Sequence, residues 1–402
     1  MSHSVQISFV VTLLLVASAS IEAGHLPNVP HGKITAQHAE GIHGWKEAEH
    51  KKLSIKIAKA YSQYKKKVGQ VWGKEAVVPS ARRDVTYRNN LKERSVVDYE
   101  KGLVRVELVL MPSKARNEQE MYDKLELAIE RAILQGADLR PIEEIAENPE
   151  PPADVDSPAM LAGLIANGDG SPFGEGDLAD FKQAKSRALK MRQIKGKDGK
   201  QRVIVSTQFK MVPNHIRVRA ERFRSSVDQY ARDLDIPAPL IYAIIETESS
   251  FNPRAKSPIP AFGLMQLVPT RAGRDAFKFL YSKDRVVKER YLYVPDKNIE
   301  LGTAYLHLLY HRYFKSIKDP QSRQWATIAA YNAGPRNVIK ALSGRYSKKK
   351  YASSYSWKRH AFNKINKMSS KQAYSYLRKR MPAGETRRYL KKVHKRMGKY
   401  SA

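Results

Sequence analysis

Residues 240–269, LIYAIIETESSFNPRAKSPIPAFGLMQLVP, place two glutamates at the end of an apolar run. The spacing predicts a helix over 240–248, started by Pro237 and Pro239. Ile241, Ile244, Ile245 and Glu248 are three or four residues apart and fall on one face. A carboxylate thus ends the stripe that faces the core. Glu246 points roughly 200° away from it. Asn252-Pro253 then breaks the helix. A half-buried carboxyl at a helix end is a candidate for a raised pKa and general-acid chemistry. A rim carboxylate capping the following turn fits the same pattern equally well.

Further residues follow in a fixed order. They are Glu248-Ser249, Ser257, Gly263-Leu264-Met265-Gln266, Ala330-Tyr331-Asn332-Ala333-Gly334 and Glu385-Thr386-Arg387-Arg388-Tyr389-Leu390. Together these blocks span about a third of the chain, and the set resembles the four motifs of the lytic transglycosylases with a goose-type lysozyme-like fold. Gln70-Val71-Trp72-Gly73 and Met211-Val212-Pro213-Asn214-His215 extend the similarity, more loosely, into the N-terminal half.

The resemblance implies cleavage of peptidoglycan glycan strands between MurNAc and GlcNAc, with no cofactor and no metal. Glycosidic cleavage requires a proton on the leaving oxygen while an oxocarbenium-like centre develops, and ordinary glycosidases use two carboxyl groups. No second carboxylate stands out among the motifs. Glu385 is the best spare, and its GETRRYL context also fits a residue that holds a helix in place. The family instead uses one glutamate, first as acid and then as base, while the C6 hydroxyl of MurNAc attacks C1 and leaves a 1,6-anhydro end.

By that resemblance Glu248 is the acid/base. Ser257 and Gln266 hydrogen-bond the sugar near the cleaved bond, and Met265 lies along the glycan groove. Tyr331 and Asn332 come from the third motif, and Tyr389 brings a hydroxyl close to the acid. Without the motifs, Ser257 reads as a turn residue, Met265 equally as core filler, and both tyrosines as core.

Composition bounds the partners. The 402 residues hold 72 Lys and Arg against 40 Asp and Glu, a formal net charge of +32. Such a charge attracts polyanions and says nothing about fold. Anionic envelope polymers and membrane surfaces fit it. Nucleic acid fits the charge but neither the motifs nor the N-terminus. There are no cysteines, which excludes disulfides, thiol nucleophiles and a lipoprotein cysteine in this sequence. Residues 7–16, ISFVVTLLLV, are too few to span a bilayer and are followed by Ala17, Ser18, Ala19 and Ala23. This predicts a signal peptide over 1–23, cut after Ala19 or Ala23, and export to the periplasm or cell envelope. Its first six residues lack Lys and Arg.

Residues 24–44 read as a leader. Residues 46–73 carry Leu53, Ile57, Ala60, Tyr61, Val68 and Trp72 at helical spacing, with Trp72 read as core rather than a sugar platform. Alternation over 103–110 predicts a half-buried strand, with Arg105 and Glu107 on the face opposite Val104, Val106 and Leu108. A preceding strand falls near 95–99, a helix over 116–135, a surface excursion over 141–176 and a strand over 202–209. From Met211 onward, helical patterns alternate with polar turns. The expected class is α+β: an N-terminal α+β domain of unassigned role over 45–210, then an all-helical lysozyme-like domain over 211–402. The rival readings are a hydrolase on the same fold and a non-catalytic glycan or envelope binder.

Overall fold

The structure is a computed structural model and describes residues 37–401 except 137, 153–158, 168, 169, 172, 174 and 348, with side chains from residue 47 onward apart from 175. The expected signal peptide and most of the leader lie outside the described residues, as does Lys348. The N-terminal half holds helix α1 (Gln37–Trp72), strands β1 (Arg83–Arg88), β2 (Glu93–Asp98) and β3 (Leu103–Leu110), and helices α2 (Glu118–Leu134), α3 (Ile142–Glu147) and α4 (Leu178–Arg187). Strands β4 (Lys190–Lys195) and β5 (Gln201–Lys210) complete it. The five strands form one antiparallel sheet in the order β1-β2-β3-β5-β4.

One face of the sheet matches its alternation. Val104, Val106 and Leu108 pack with Met121, Leu125, Ala128 and Ile129 of α2 in a separate small core. The other face corrects the expectation of a half-buried strand, because Glu107 is fully buried. Its carboxylate accepts a hydrogen bond from Arg94 Nε at 2.8 Å and is flanked by Arg105 at 3.2 Å and Arg192 at 3.1 Å. Arg94 in turn lies 3.9 Å over the ring of Trp72. Both faces are therefore covered, and the buried charges survive because they are paired with each other and with an aromatic face. Trp72 is core, fully enclosed, and donates its indole N–H to Leu91 O. The 141–176 stretch is more than a surface excursion, since Ile142, Ile145, Leu161, Leu164 and Ile165 are buried.

The remainder is helical, as expected. Helices α5 (His215–Glu221), α6 (Arg224–Asp233), α7 (Ala238–Glu248), α8 (Arg274–Tyr281), α9 (Glu289–Leu292) and α10 (Pro295–His307) come first. They are followed by α11 (Pro320–Ala333), α12 (Pro335–Ser343), α13 (Ser354–Ile365), α14 (Ser370–Arg380) and α15 (Gly384–Met397). Helix α7 is enclosed nearly all round, with Leu240, Ile241, Ala243, Ile244 and Ile245 buried. Each of its leucine and isoleucine side chains contributes about 1.5–3 kcal/mol by leaving water.

The two glutamates of α7 are distributed differently from what the helical stripe implied. Glu246 is the more enclosed, 3 % exposed, and Glu248 is half-buried. Glu246 faces the end of α15, where its carboxylate accepts from Arg396 Nε at 3.0 Å, Lys399 Nζ at 2.7 Å and the Tyr400 hydroxyl at 2.7 Å. Arg396 also donates to Thr247 Oγ1 at 2.9 Å.

The N-terminal half is tied to the same region by polar contacts. Asn252 Nδ2 donates to Ala81 O at 3.2 Å, and Arg219 Nη2 donates to Tyr99 O at 2.7 Å. Arg82 donates to Thr247 O, and Arg254 pairs with Asp84.

Burial by itself pushes the Glu246 carboxyl up, but the bonds from Lys399 and Tyr400 and the charge of Arg396 prevail and hold it below the usual range. A depressed carboxyl stabilises the fold above its unfolded pKa, near 4.5, and that stability is lost as pH falls through the folded value. Glu246→Gln should therefore lower stability by about 2–3 kcal/mol at neutral pH and flatten the acid limb of the stability curve. Denaturant titrations of both proteins across that pH range check this. An unchanged acid limb would show that Glu246 does not hold α15.

Candidate active site

The loop after α7 is held by an asparagine that carries no recognisable motif. Asn298, fully buried on α10, accepts from the Met265 N–H at 2.8 Å and donates to Phe262 O at 2.9 Å and Leu292 O at 2.8 Å. Two backbone groups of the irregular turn and one at the end of α9 are thus satisfied by one side chain, as buried backbone groups require. Gly263 adopts φ +73°, and a Cβ there would sit 2.2 Å from Leu292 O. Only glycine fits. Met265 is fully buried, with Gly302 of α10 vacating the space its sulfur fills. This corrects the expectation that the Met265 side chain lines a glycan groove. What Met265 offers its neighbours is a carbonyl, which accepts from the Tyr331 hydroxyl at 2.8 Å.

Gln266, with φ +48°, donates its amide to Ala255 O at 3.2 Å and Gly263 O at 3.1 Å. It thereby closes the loop that carries Ser257. The Ser257 hydroxyl accepts from the Ile259 N–H at 3.2 Å, so in this structure it shapes a turn. Lys256, beside it, is buried against the Tyr293 ring at 4.1 Å, and burial depresses its pKa to about 8.

Glu248 ends α7 in a different environment from Glu246. Burial raises its pKa to about 7; the Tyr389 hydroxyl and the Arg82 charge pull it down, and Glu385 pushes it up. The Tyr389 hydroxyl is buried facing this carboxyl but makes no hydrogen bond of ordinary geometry. Burial first, and then the charge of Glu248, drive the phenols of Tyr389 and Tyr331 well above their ordinary value. Both stay neutral and can donate. Asn332 lies at the end of α11, where its Oδ1 accepts from Thr386 Oγ1 at 2.7 Å. That bond fixes the start of α15 as Glu246 fixes its end.

Glu248, Tyr389, Tyr331 and the Met265 carbonyl are therefore assembled together, with Asn332 one contact behind them. Ser257 and Gln266 belong to the adjoining loop, where Gln266 reaches the Ser257 segment at Ala255 O and Ser257 bonds Ile259 within its own turn. Glu385, in the first turn of α15, is exposed. The arrangement can hold a neutral carboxylic acid near pH 7 with a phenol at its side, which suits proton donation to a leaving oxygen.

Two contributors went unread in the sequence. Asn298 has no local signal, because its role depends on a turn more than 30 residues away. Arg82 precedes β1 in the other half of the chain and reaches the acid only through the packing of the two halves. Because Arg82 and Tyr389 both lower the Glu248 pKa, Arg82→Gln and Tyr389→Phe should each raise it. NMR titration of the Glu248 carboxyl carbon would show the midpoint moving upward in both variants, and a downward move in either would contradict the geometry described.

Comparison with known proteins adds the context. Residues 47–222 match the family model for the membrane-bound lytic murein transglycosylase C N-terminal domain, and residues 225–354 match that for the transglycosylase SLT domain. A membrane-bound lytic murein transglycosylase C from Actinobacillus succinogenes is 31% identical over 339 residues, 84% of this chain and 87% of the relative. One from Salmonella arizonae is 32% identical over 334 residues, 83% of this chain and 86% of the relative. Among solved structures, the 70 kDa soluble lytic transglycosylase of Escherichia coli is 27% identical, with a TM-score of 0.33, over 44% of this chain and 24% of that one. An inactive mutant of a Pseudomonas aeruginosa lytic transglycosylase is 25% identical, also with a TM-score of 0.33, over 44% of this chain and 23% of that one. The match spans about a quarter of each of these longer solved chains. The chain belongs to the membrane-bound lytic murein transglycosylase C family and is a peptidoglycan lytic transglycosylase.

Proposed function

We propose that Glu248 is the single general acid/base and that the products end in 1,6-anhydro-MurNAc. The observation that carries this reading is one carboxyl raised to about pKa 7 by burial, facing a neutral phenol, while the carboxyl that acts on it, Glu385, is exposed. In the first step the neutral Glu248 gives its proton to the glycosidic oxygen and the GlcNAc unit departs. The resulting carboxylate then takes the proton of the C6 hydroxyl as that oxygen bonds to C1. No water enters, and Glu248 ends protonated as it began. Tyr389 and Tyr331 shield and orient the acid. The Met265 carbonyl, Gln266, Ser257 and Asn332 shape the sugar site from the backbone of the adjoining loop and the end of α11.

Residues 211–402 form the catalytic domain in this reading. Residues 45–210 supply Arg82 and brace the loop. Export of the chain to the periplasm or cell envelope accords with the apolar leader and with the membrane-bound relatives. Among the described residues no helix is long and apolar enough to cross a membrane. Mature protein is expected to begin at Ser20 or Gly24, which N-terminal sequencing of envelope-associated protein reads directly.

Glu248→Gln keeps the shape and loses the proton. Turnover of sacculi should fall by roughly 10²–10⁴-fold. The variant should also be more stable than the parent above pH 7. A carboxyl raised in the fold contributes stability below its unfolded pKa, near 4.5, and loses it as pH rises through about 7. That loss is about 3 kcal/mol. Loss of activity with no gain in alkaline stability would mean that the carboxyl is not held neutral.

The fate of C1 separates this reaction from a hydrolase, a rival that Glu385 keeps alive by its influence on Glu248. Digestion in ¹⁸O-labelled water should leave the new ends unlabelled, lighter by one water than hydrolytic products, and resistant to borohydride. The rate should decline as pH rises through about 7, where Glu248 gives up its proton. Labelled reducing ends would establish water as the nucleophile and make Glu385 the residue to replace next.

A further inference from the structure

Behind the loop that carries Ser257 lies a buried cluster of charges that the proposed reaction does not use. Arg254 and Lys256, two residues apart and each 4 % exposed, both turn toward the N-terminal half. They line a small cavity whose other walls come from that half, Asp84 and Asp138 included. Both carboxylates are already taken. Asp84 pairs with Arg254, which also donates to Gly136 O at 3.2 Å, and Asp138 pairs with Arg140 at 2.8 Å. Lys256 is left over. Among the described residues its Nζ has no hydrogen-bond acceptor, and it lies 4.1 Å from the centre of the Tyr293 ring. Tyr293 donates its hydroxyl to Glu289 of α9, whose charge works for the ammonium while burial works against it. Helix α9 is itself fastened to α3 by Arg290 and Glu144 at 2.7 Å.

An ammonium at that depth, with a ring face and an unbonded carboxylate as its compensation, costs stability. An apolar side chain of similar length would fill the same space without that cost. The backbone shows what the lysine does instead. Lys256 forms an antiparallel bridge with Phe262, and the Phe262 ring meets the Tyr293 ring edge-on at 6.0 Å. Both ends of the 256–262 turn are therefore gripped by one tyrosine. Between them stand Ser257, whose hydroxyl accepts from the Ile259 N–H, and Ile259, which is 67 % exposed. Successive side chains of extended backbone point to opposite sides, so drawing Arg254 and Lys256 inward turns Ser257 outward. We propose that Lys256 is a positioning residue for substrate: held from behind by Tyr293, Glu289 and the N-terminal half, it presents Ser257 to the sugar. The N-terminal half thereby influences glycan affinity without touching glycan. This inference rests on Ser257 belonging to the sugar site, as proposed above, and not on the chemistry at C1.

The test uses the full chain, with soluble uncrosslinked glycan strands as the probe. Lys256→Met keeps the length of the side chain and removes the ammonium. KM should rise about tenfold while kcat changes less than about twofold. The melting temperature should stay level or rise, because no hydrogen bond is lost and a buried charge is removed. In the Glu248→Gln chain, where binding is read without turnover, the same substitution should raise Kd about tenfold. Ser257→Ala should weaken binding to a similar extent. Lys256→Met/Ser257→Ala should bind no worse than about twofold below Ser257→Ala alone, since one residue acts through the other. Losses that add in the double variant would mean that Lys256 acts elsewhere and would overturn the proposal. A Lys256→Met chain that melts well below wild type, or does not fold, would make the lysine a residue of the fold and overturn it too. A drop in kcat at constant KM would be equally fatal. Full binding by Ser257→Ala would refute the sugar-site reading and this inference with it. Weakened Ser257→Ala beside unaffected Lys256→Met would leave that reading standing and remove the inference alone.

Discussion

The Glu246 carboxylate is the constraint on which the helical half depends. It sits on the buried helix α7 and gathers Arg396, Lys399 and Tyr400 from the end of the chain. An unpaired carboxylate at that depth would cost several kcal/mol, so the fold and the clamp are one decision. With the end of α15 fixed there and its start fixed by the Thr386–Asn332 bond, the helix has no freedom to turn. Tyr389, between the two anchors, is thereby delivered to the acid.

Glu246 and Glu248 are two residues apart on one helix and are driven in opposite directions. Burial disfavours charge at both. At Glu246 three donors overcome it and the carboxylate is structural. At Glu248 the compensation stops short: Tyr389 faces the carboxyl without a proper hydrogen bond, and Arg82 is spent mainly on the Thr247 carbonyl. The partial compensation leaves an acid poised near neutrality, at the expense of some stability. Full satisfaction would have made a second Glu246, charged at neutral pH.

The sheet domain contributes to the same balance. Asn252, Arg254 and Arg219 all bridge from the loop around the acid, or from behind it, to backbone or carboxylate groups of the N-terminal half. Buried polar contacts of this kind add little net stability, yet they hold one arrangement against others because leaving any partner unpaired is costly. Among the described residues, Arg82 carries the influence of that half on the Glu248 titration.

Much of this was readable from residue order. The apolar periodicity of 240–248 and the proline start fixed a buried helix, and the four motif blocks pointed to the family and to Glu248 as the candidate acid. The class, an α+β half followed by helices, also followed from periods of two giving way to periods of 3.6. Pattern alone could not say which glutamate is enclosed, because α7 is covered on all sides and a one-sided stripe no longer tells in from out. It could not foresee a fully buried Glu107, since burial of a charge depends on Arg94, Arg105 and Arg192 arriving from other strands or positions. Met265, Asn298 and Arg82 carry the same lesson. A side chain's periodicity is local, but its charge state and partners are set by groups distant in sequence, and only packing brings those groups within range.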